Sequence, residues 1–234
     1  MRTVTQIHLI VPMKPLATAK SRLAQAVGNA RRRGLVLMLL QTVLRAAARA
    51  STPLRLTVAG GDADVEALCH AEGARWTPEK GHDLNSTLAH ALKEAFDDGA
   101  AAVLVLPGDL PLLSPGDVDA LVKASRQLGR VVLAPASRSD GTNALLVPAS
   151  VALHPSFGEG SFQRHLLEVQ RLGCPVALCR RRGLGFDLDG PEDLALCERQ
   201  VSGFSKALSE WETRLRQATA PQKHPFTSTS SRGH

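Results

Sequence analysis

Short apolar runs recur along the chain and alternate with longer segments in which apolar positions have helical spacing. Six runs rich in Val, Ile, Leu and Ala predict β-strands at residues 7–13, 54–60, 101–107, 130–136, 143–148 and 174–180. Six longer segments predict helices at residues 30–50, 62–72, 84–97, 114–127, 161–172 and 191–200. Continuous apolar strands that alternate with helices are typical of a mostly parallel sheet with helices on both faces. We therefore predict a single-domain α/β fold over residues 1–202.

The pattern changes in residues 203–234. The stretch "SGFSKALSEWETRLRQ" predicts one amphipathic helix, and the polar, proline-containing stretch after it predicts a mobile tail. We expect no chemistry from this C-terminal part.

One acidic residue lies where such a sheet binds ligands. In open α/β sheets, ligands bind beyond the carboxyl ends of the strands. Asp109 follows the apolar run "VLVLPG" directly, after the turn residue Gly108. We therefore expect the Asp109 carboxylate at the binding edge of the sheet.

Composition narrows the class of protein. The 234 residues are 44% hydrophobic and 21% charged, which suits one well-cored globular domain. No apolar run approaches the roughly 18 residues of a membrane span, and the N-terminus lacks a secretory h-region, so a cytoplasmic protein is expected. The net charge of +6 suits a polyanion, but 3% aromatic residues and no tyrosine leave few rings on which bases could stack. A small phosphorylated ligand is therefore favoured over nucleic acid.

The cysteines predict neither a zinc site nor a disulfide framework. None of the four shows C-x-x-C spacing, and all lie in apolar or helical contexts. We expect reduced, mostly buried thiols at Cys69, Cys174, Cys179 and Cys197.

The loop after the first predicted strand is basic. In "VPMKPLATAKSRLA", Lys14, Lys20 and Arg22 lie between a strand and a helix, where backbone N–H groups and the helix dipole favour phosphate. The loop matches neither the P-loop pattern nor G-x-G-x-x-G. From spacing alone, a phosphate site and a solvated basic loop are both open.

In "GHDLNSTLAHAL", Asn85 either caps a helix, which local sequence favours, or binds a base or ribose.

Two aspartates in "GFDLDGPEDL" suggest a metal site. Asp187 and Asp189 are two positions apart and hence on the same side of an extended segment. Together with Asp109 they would supply the oxygen ligands that Mg²⁺ prefers. The alternative is that Asp189 or a neighbour caps the helix that begins at Pro191.

Two glycine turns present hydroxyl groups. "SRSDGTNALLVP" places Thr142 at the start of a strand, and "FGEGSFQRH" places Ser161 at the start of a helix after Gly158 and Gly160. Ser161 is either an N-cap or, with the glycine amides and the helix dipole, part of an anion site.

The ordered motifs "VPMKPLATAKSRL", "LPGDLPLL", "SDGTNALL", "FGEGSFQRH" and "FDLDGPEDL" together resemble one family. It is the family of guanylyltransferases that activate a three-carbon phospho-acid during assembly of the deazaflavin coenzyme F-420. The resemblance spans residues 6–196 and implies a GT-A-like, Rossmann-related nucleotidyltransferase fold that uses GTP and Mg²⁺. Gly190 departs from the family pattern, in which threonine is usual, and leaves the choice between Asp187 and Asp189 as ligand open.

The resemblance also implies roles for these residues. The catalytic residues would be Lys14, Lys20 and Asp109. The nucleotide would be bound by Lys14, Lys20, Arg22 and Asn85, and the metal would be held by Asp109, Asp187 and Asp189. The acid, which is phosphoenolpyruvate, 3-phosphoglycerate or 2-phospholactate, would be bound by Thr142, Gly158 and Ser161. The expected partners are GTP, the phospho-acid and a downstream transferase of the pathway, with a homodimer as an option and no nucleic acid or membrane. Rival interpretations are another nucleotidyltransferase, of sugar-phosphate or molybdopterin type, or a non-catalytic nucleotide-binding protein.

Overall fold

The computed structural model describes residues 6–219, and all six predicted strands form within it. The strands are β1 (Ile7–Met13), β2 (Leu54–Gly60), β3 (Arg75–Thr77), β4 (Ala102–Val105), β5 (Val131–Pro135), β6 (Thr142–Pro148) and β7 (Val176–Leu178). The helices are α1 (Asn29–Ala48), α2 (Ala63–Ala71), α3 (Leu84–Asp97), α4 (Pro115–Ala124), α5 (Ser161–Arg171), α6 (Arg182–Gly185), α7 (Pro191–Gln200) and α8 (Phe204–Thr219). The prediction missed β3 and α6, because three or four residues are too few to show a period.

The sheet is mixed but mostly parallel. Its seven strands have the order β3-β2-β1-β4-β6-β5-β7, and β6 alone runs antiparallel to its neighbours β4 and β5. Every residue of β6 is buried. Its sequence therefore lacks the alternation of apolar and polar residues that is typical of an antiparallel strand with one solvated face. The predicted α/β class is confirmed, and the reversed strand is an addition to it.

Helices cover both faces of the sheet, as predicted. Along β1, Leu9 and Val11 belong to one core and Ile10 to the other, because successive side chains of a strand point to opposite faces. The first core packs α1, α2 and α4 against the sheet, and the second packs α3 and α5. The central strands are therefore buried on both faces and leave only their ends for function.

The predicted C-terminal helix forms as α8 and packs on α1. Phe204 and Leu208 are buried in a third apolar cluster with residues of α1 and α7. A Cβ atom on Gly34 of α1 would lie 3.2 Å from the backbone nitrogen of Glu212 in α8, so the two helices approach closely there. The domain boundary at residue 202 stays a prediction, and the predicted mobile tail beyond residue 219 lies outside the described residues.

Two features of the structure bear on expectations from the sequence, the membrane spans and the state of the cysteines. Within residues 6–219 no helix combines the length and apolar character needed to cross a membrane. All four cysteines are free, with Cys174 half-buried and Cys69, Cys179 and Cys197 buried, which confirms the expected reduced thiols.

Candidate active site

A cleft of about 590 Å³ opens at the carboxyl ends of β1, β2 and β4. Its walls come from the loop after β1, the end of β2, the start of α3 and the turn after β4. Six of the predicted site residues line it together: Lys14, Lys20, Arg22, Asp109, Gly158 and Asp189. The tertiary structure thus brings the basic loop, the strand-end carboxylate and one downstream aspartate to one place.

Lys20 connects two of the carboxylates in this cleft. Its ammonium group contacts Asp109 and lies 2.7 Å from Oδ1 of Asp189, and only 12% of its side chain is exposed. Burial acts to lower the pKa of Lys20, but the charges and hydrogen bonds of Asp109 and Asp189 raise it. Lys20 is therefore a fixed positive charge between two negative ones.

Residues 187–189 run beside the turn that carries Asp109. Leu188 is fully buried and donates its backbone N–H to the carbonyl oxygen of Asp109 at 3.0 Å. The carboxyl groups of Asp187 and Asp189 interact with each other, as expected for alternate positions of an extended segment. The prediction that these two carboxylates lie on one side is confirmed.

The two aspartates have different surroundings. Asp187 accepts a hydrogen bond from Nδ2 of Asn143 at 3.1 Å, yet burial raises its pKa, and the negative charges of Asp109 and Asp189 raise it further. For Asp189, burial also acts to raise the pKa, but the positive charge of Lys20 lowers it. Asp189 is thus electrostatically stabilised as an anion, and Asp187 is not.

The cap of α7 is a neighbour of these aspartates. Oδ2 of Asp193 accepts the backbone N–H groups of Asp189 and Gly190 at 3.0 and 2.9 Å. The carboxylate of Asp189 points to Lys20 instead, so the alternative that Asp189 caps this helix is wrong. Gly190 has an extended backbone with φ −128°, which any residue adopts.

The basic loop contributes its three cations unequally. Lys14 and Lys20 both line the cleft. Arg22 lines it as well, but 80% of its side chain is exposed, and its guanidinium lies 3.9 Å from Asp189. The loop therefore combines Lys20, which is fixed by two carboxylates, with an exposed Lys14 and a largely solvated Arg22.

Asn85 does not cap its helix. Asp83 is the N-cap of α3 and accepts the backbone N–H of Ser86 at 2.7 Å, so the favoured interpretation of Asn85 is wrong. The Asn85 side chain donates to the carbonyl of Phe157 at 3.1 Å and accepts the N–H of Phe157 at 2.6 Å. It ties the glycine loop before α5 to the start of α3.

Thr142 and Ser161 meet, but inside the protein. Oγ of Ser161 accepts the backbone N–H of Thr142 at 2.9 Å, and both residues are buried. The N-cap of α5 is Gly160, which has a left-handed backbone with φ +66°, so the interpretation of Ser161 as N-cap is wrong. These hydroxyls lie behind the glycine loop, whose Gly158 lines the cleft.

Comparison with known proteins identifies the family. A family model described as "Guanylyl transferase CofC like" matches residues 7–230. The chain belongs to this guanylyltransferase family. This chain is 40% identical over 192 residues to a protein of Rubrobacter xylanophilus named phosphoenolpyruvate guanylyltransferase. The match covers 82% of this chain and 93% of that one. The chain is 37% identical over 204 residues to the 3-phospho-D-glycerate guanylyltransferase of Phenylobacterium zucineum, covering 85% and 93%.

Solved structures agree on the fold of the guanylyltransferase. A putative nucleotide-diphospho-sugar transferase from Desulfovibrio desulfuricans G20 superposes with a TM-score of 0.71 and 22% identity, covering 92% of this chain and 98% of the other. At this identity the likeness concerns the fold alone. The predicted GT-A-like nucleotidyltransferase fold is confirmed, and so is the assignment of the chain to the nucleotidyltransferases.

The sequence-based interpretation missed residues that hold the guanylyltransferase loops in place. The guanidinium of Arg32, which is only 7% exposed, donates to the carbonyl oxygens of Leu16 at 2.9 Å and Ala17 at 3.2 Å, and contacts that of Ala19. His165 was also missed, although its spacing of four from Ser161 places both on one face of α5. Arg32 gave no such signal, because its partners are backbone atoms of a loop.

The carboxylates of the guanylyltransferase are suited to a divalent cation. Oδ1 of Asp109 is buried and has no hydrogen-bond partner among the described residues. Carboxylate oxygens are the ligands that Mg²⁺ prefers. Within residues 6–219, however, no group of three His, Cys, Asp or Glu side chains is already arranged around one metal position. The donor type fits Mg²⁺, while Lys20 is paired with both Asp109 and Asp189 in this conformation.

Proposed function

We propose that this guanylyltransferase transfers the guanylyl group of GTP to a three-carbon phospho-acid in the assembly of coenzyme F-420. The observation that carries the proposal is the cleft in which Lys14, Lys20 and Asp109 face Gly158 of the glycine loop. One side of this cleft is suited to a triphosphate and the other to a small anion. The names of the related guanylyltransferases support both substrates.

The reaction is an attack by a phosphate oxygen of the acid on the α-phosphorus of GTP. The new P–O bond forms as the bond to the leaving pyrophosphate breaks. Because a phosphate dianion is already nucleophilic, the protein needs no general base and contributes alignment and charge neutralisation. Lys14 and Arg22 would meet the triphosphate, and Lys20 would hold positive charge at the floor of the cleft.

Magnesium belongs to this proposal. Asp109, with Asp187 or Asp189, would hold the ion, which neutralises phosphate charge when bound. Oδ1 of Asp109, which has no hydrogen-bond partner in the described part of the chain, supports this assignment. Asp189 is already paired with Lys20, whereas the anionic form of Asp187 is destabilised by its surroundings. A bound cation would therefore stabilise Asp187 more than Asp189.

The acceptor would bind at the glycine loop. Gly158 has a φ of +113° and lines the cleft, so its backbone can approach a ligand without a side chain intervening. Thr142 and Ser161 lie behind this loop, and each retains a hydroxyl proton for an anionic oxygen. We propose phosphoenolpyruvate as the preferred acid, because the relative that is 40% identical carries that substrate in its name. The proposal includes a cytoplasmic location and transfer of the product to the next enzyme of the pathway.

The test is pyrophosphate release from GTP and Mg²⁺ with phosphoenolpyruvate, 3-phosphoglycerate or 2-phospholactate, with mass spectrometry of the product. Incubation without acid, and with ATP or CTP in place of GTP, are the controls. Phosphoenolpyruvate is expected to give the highest kcat/KM. Pyrophosphate release with a sugar 1-phosphate, and with none of the three acids, would replace this function by that of a sugar nucleotidyltransferase.

A further inference from the structure

His165 lies between the two segments that form the acceptor side. It is fully buried on the inner face of α5. Its Nδ1 lies 3.0 Å from Oγ1 of Thr142 at the start of β6, and its Nε2 accepts the backbone N–H of Ser156 at 2.9 Å. The ring of Phe157 packs edge-on against it, with ring centroids 5.0 Å apart. One imidazole thus joins β6 to the glycine loop.

The contacts determine which nitrogen of His165 carries the proton. Burial, with a smaller effect of the positive charge of Arg164, lowers the pKa of His165 to about 4, so the ring is neutral at neutral pH. A neutral imidazole has one N–H and one acceptor nitrogen. The amide of Ser156 can only donate, so Nε2 is the acceptor and Nδ1 carries the hydrogen.

This tautomer fixes the hydroxyl of Thr142. Because Nδ1–H donates to Oγ1 of Thr142, the hydroxyl accepts from His165 and its own hydrogen is left for another acceptor. Ser161 is in a similar state, since its Oγ accepts the N–H of Thr142. No described residue accepts a hydrogen bond from either hydroxyl. Two neighbouring buried O–H donors without acceptors are suited to an anionic oxygen.

We propose that His165 is a positioning residue of the acceptor site, which holds the Thr142 hydroxyl as a donor for an anionic oxygen of the phospho-acid. This inference rests on the proposed function. Through Ser156 the same ring anchors the loop that carries Gly158, so the hydroxyl and the loop keep one relative position. His165 itself does not touch the substrate.

The first test replaces the ring. His165→Leu is expected to raise the Michaelis constant for the acid by up to roughly ten- to a hundredfold, the effect of losing the hydrogen bond from the Thr142 hydroxyl to the charged acid. The Michaelis constant for GTP should stay unchanged. His165→Asn, whose amide NH₂ group can replace Nδ1–H, should restore much of the affinity for the acid. Val169→Ala, a buried apolar change one turn further along α5, controls for destabilisation and should lower the melting temperature without changing either constant.

The second test asks whether His165 acts through Thr142. In a double-mutant cycle, His165→Leu should add little to the effect of Thr142→Val on the acid constant, because the donor is already gone. Independent, multiplicative effects would overturn the proposal, as would an unchanged acid constant or an equal rise in the GTP constant. If His165→Leu does not fold, the comparison of His165→Asn with Thr142→Val decides, and equal loss of acid affinity in both would count against the role of Nδ1–H.

The outcomes also separate this inference from the proposed function. A wild-type enzyme that releases pyrophosphate with a phospho-acid, while the His165 variants keep its affinity, overturns the role of His165 alone. A wild-type enzyme that turns over none of the three acids overturns the proposed function and this inference together.

Discussion

The two carboxylate oxygens of Asp109 have different surroundings: Oδ2 is paired with Lys20, and Oδ1 is buried with no hydrogen-bond partner among residues 6–219. Asp109→Asn should lower Mg²⁺-dependent turnover by roughly a hundredfold or more, because it removes a charge where phosphate charge must be neutralised. The fold should survive, since Lys20 keeps its contact with Asp189. Pyrophosphate release against Mg²⁺ concentration and the melting temperature are the measurements.

Asp97→Asn is the matched control for this variant, because it makes the same charge change at an exposed pair with Lys93, far along α3 from the cleft. It should leave turnover unchanged. Near-normal turnover of Asp109→Asn at saturating Mg²⁺ would exclude Asp109 as a ligand.

Asp187 and Asp189 should respond oppositely to loss of charge. The pKa of Asp187 is raised by burial and by its acidic neighbours. Its negative charge therefore destabilises the folded protein relative to the unfolded chain at neutral pH. For Asp189, burial acts to raise the pKa, but the charge and hydrogen bond of Lys20, together with the charge of Arg22, lower it overall, and this stabilisation is present above the unfolded pKa. Without Mg²⁺, Asp187→Asn should therefore raise the melting temperature and Asp189→Asn should lower it, by roughly 2–4 °C per kcal/mol.

Thermal melts of the two variants at neutral pH with and without Mg²⁺ test this difference. If Asp187 is the second metal ligand, Asp187→Asn should lose the stabilisation that Mg²⁺ gives the wild type. A drop in melting temperature of similar size in both variants would make Asp187 a structural residue and return the ligand role to Asp189.

At the scale of elements, the contact of α8 with α1 depends on a glycine. A Cβ on Gly34 would already lie 3.2–3.3 Å from backbone and Cβ atoms of Trp211 and Glu212, so Gly34→Leu must push α8 away from α1. Overpacking of this kind typically costs about 1–3 kcal/mol. The melting temperature should fall, while kcat and both Michaelis constants stay unchanged, because α8 does not reach the cleft.

Gly28→Leu serves as the control six residues earlier, at the N-cap of α1. Nothing lies within 4 Å of a Cβ placed on Gly28, and its φ of −62° suits any residue. A loss of stability as large as that of Gly34→Leu would show that a leucine added anywhere near the start of α1, and not the approach of α8, is the cause.

Elements of sufficient length were readable from the sequence, and short ones were not. The bounds predicted for β1, β2, α3 and α7 agree with the structure. The strand β3 has three residues, one of them an exposed arginine, and it forms because β2 offers a parallel partner along its edge. A pairing between distant segments leaves no periodic signal in either of them.

At the scale of the whole molecule, the thiols report on the integrity of the core. Burial raises the pKa of Cys69 to about 12 and that of Cys197 to about 11, and it raises the pKa of Cys179 as well. Because the thiolate is the reactive form, a thiol reagent at mildly alkaline pH should modify Cys174 first and the other three only after unfolding. Titration of native and denatured protein measures this. Cys174→Ser should abolish the fast phase, and a second fast thiol would indicate local opening of the core.

The candidate site was predictable in its chemistry but not in its arrangement. The motifs singled out Lys14, Lys20, Asp109 and Asp189, which do line the cleft, because acidic and basic residues at strand ends are a local signal; the roles of these residues stay predictions. The cap assignments of Asn85, Ser161 and Asp189 were wrong. Asp83 and Gly160 are the N-caps of α3 and α5, and at the start of α7 it is Asp193 that accepts the N–H of the N-cap Gly190. Several residues near the start of each helix are able to cap it. Which residue does so depends on the other hydrogen-bond partners that each side chain can reach in the folded protein.

By itself, the sequence determined the α/β class, the family and the set of charged groups at the binding edge, because periodicity and motif order are properties of the chain. Only the tertiary structure decided that Lys20 lies between Asp109 and Asp189, that β6 is reversed and that His165 joins Thr142 to the loop at Ser156. These are contacts between segments far apart in the chain. Their geometry follows from how two cores pack on one sheet, which no local pattern encodes.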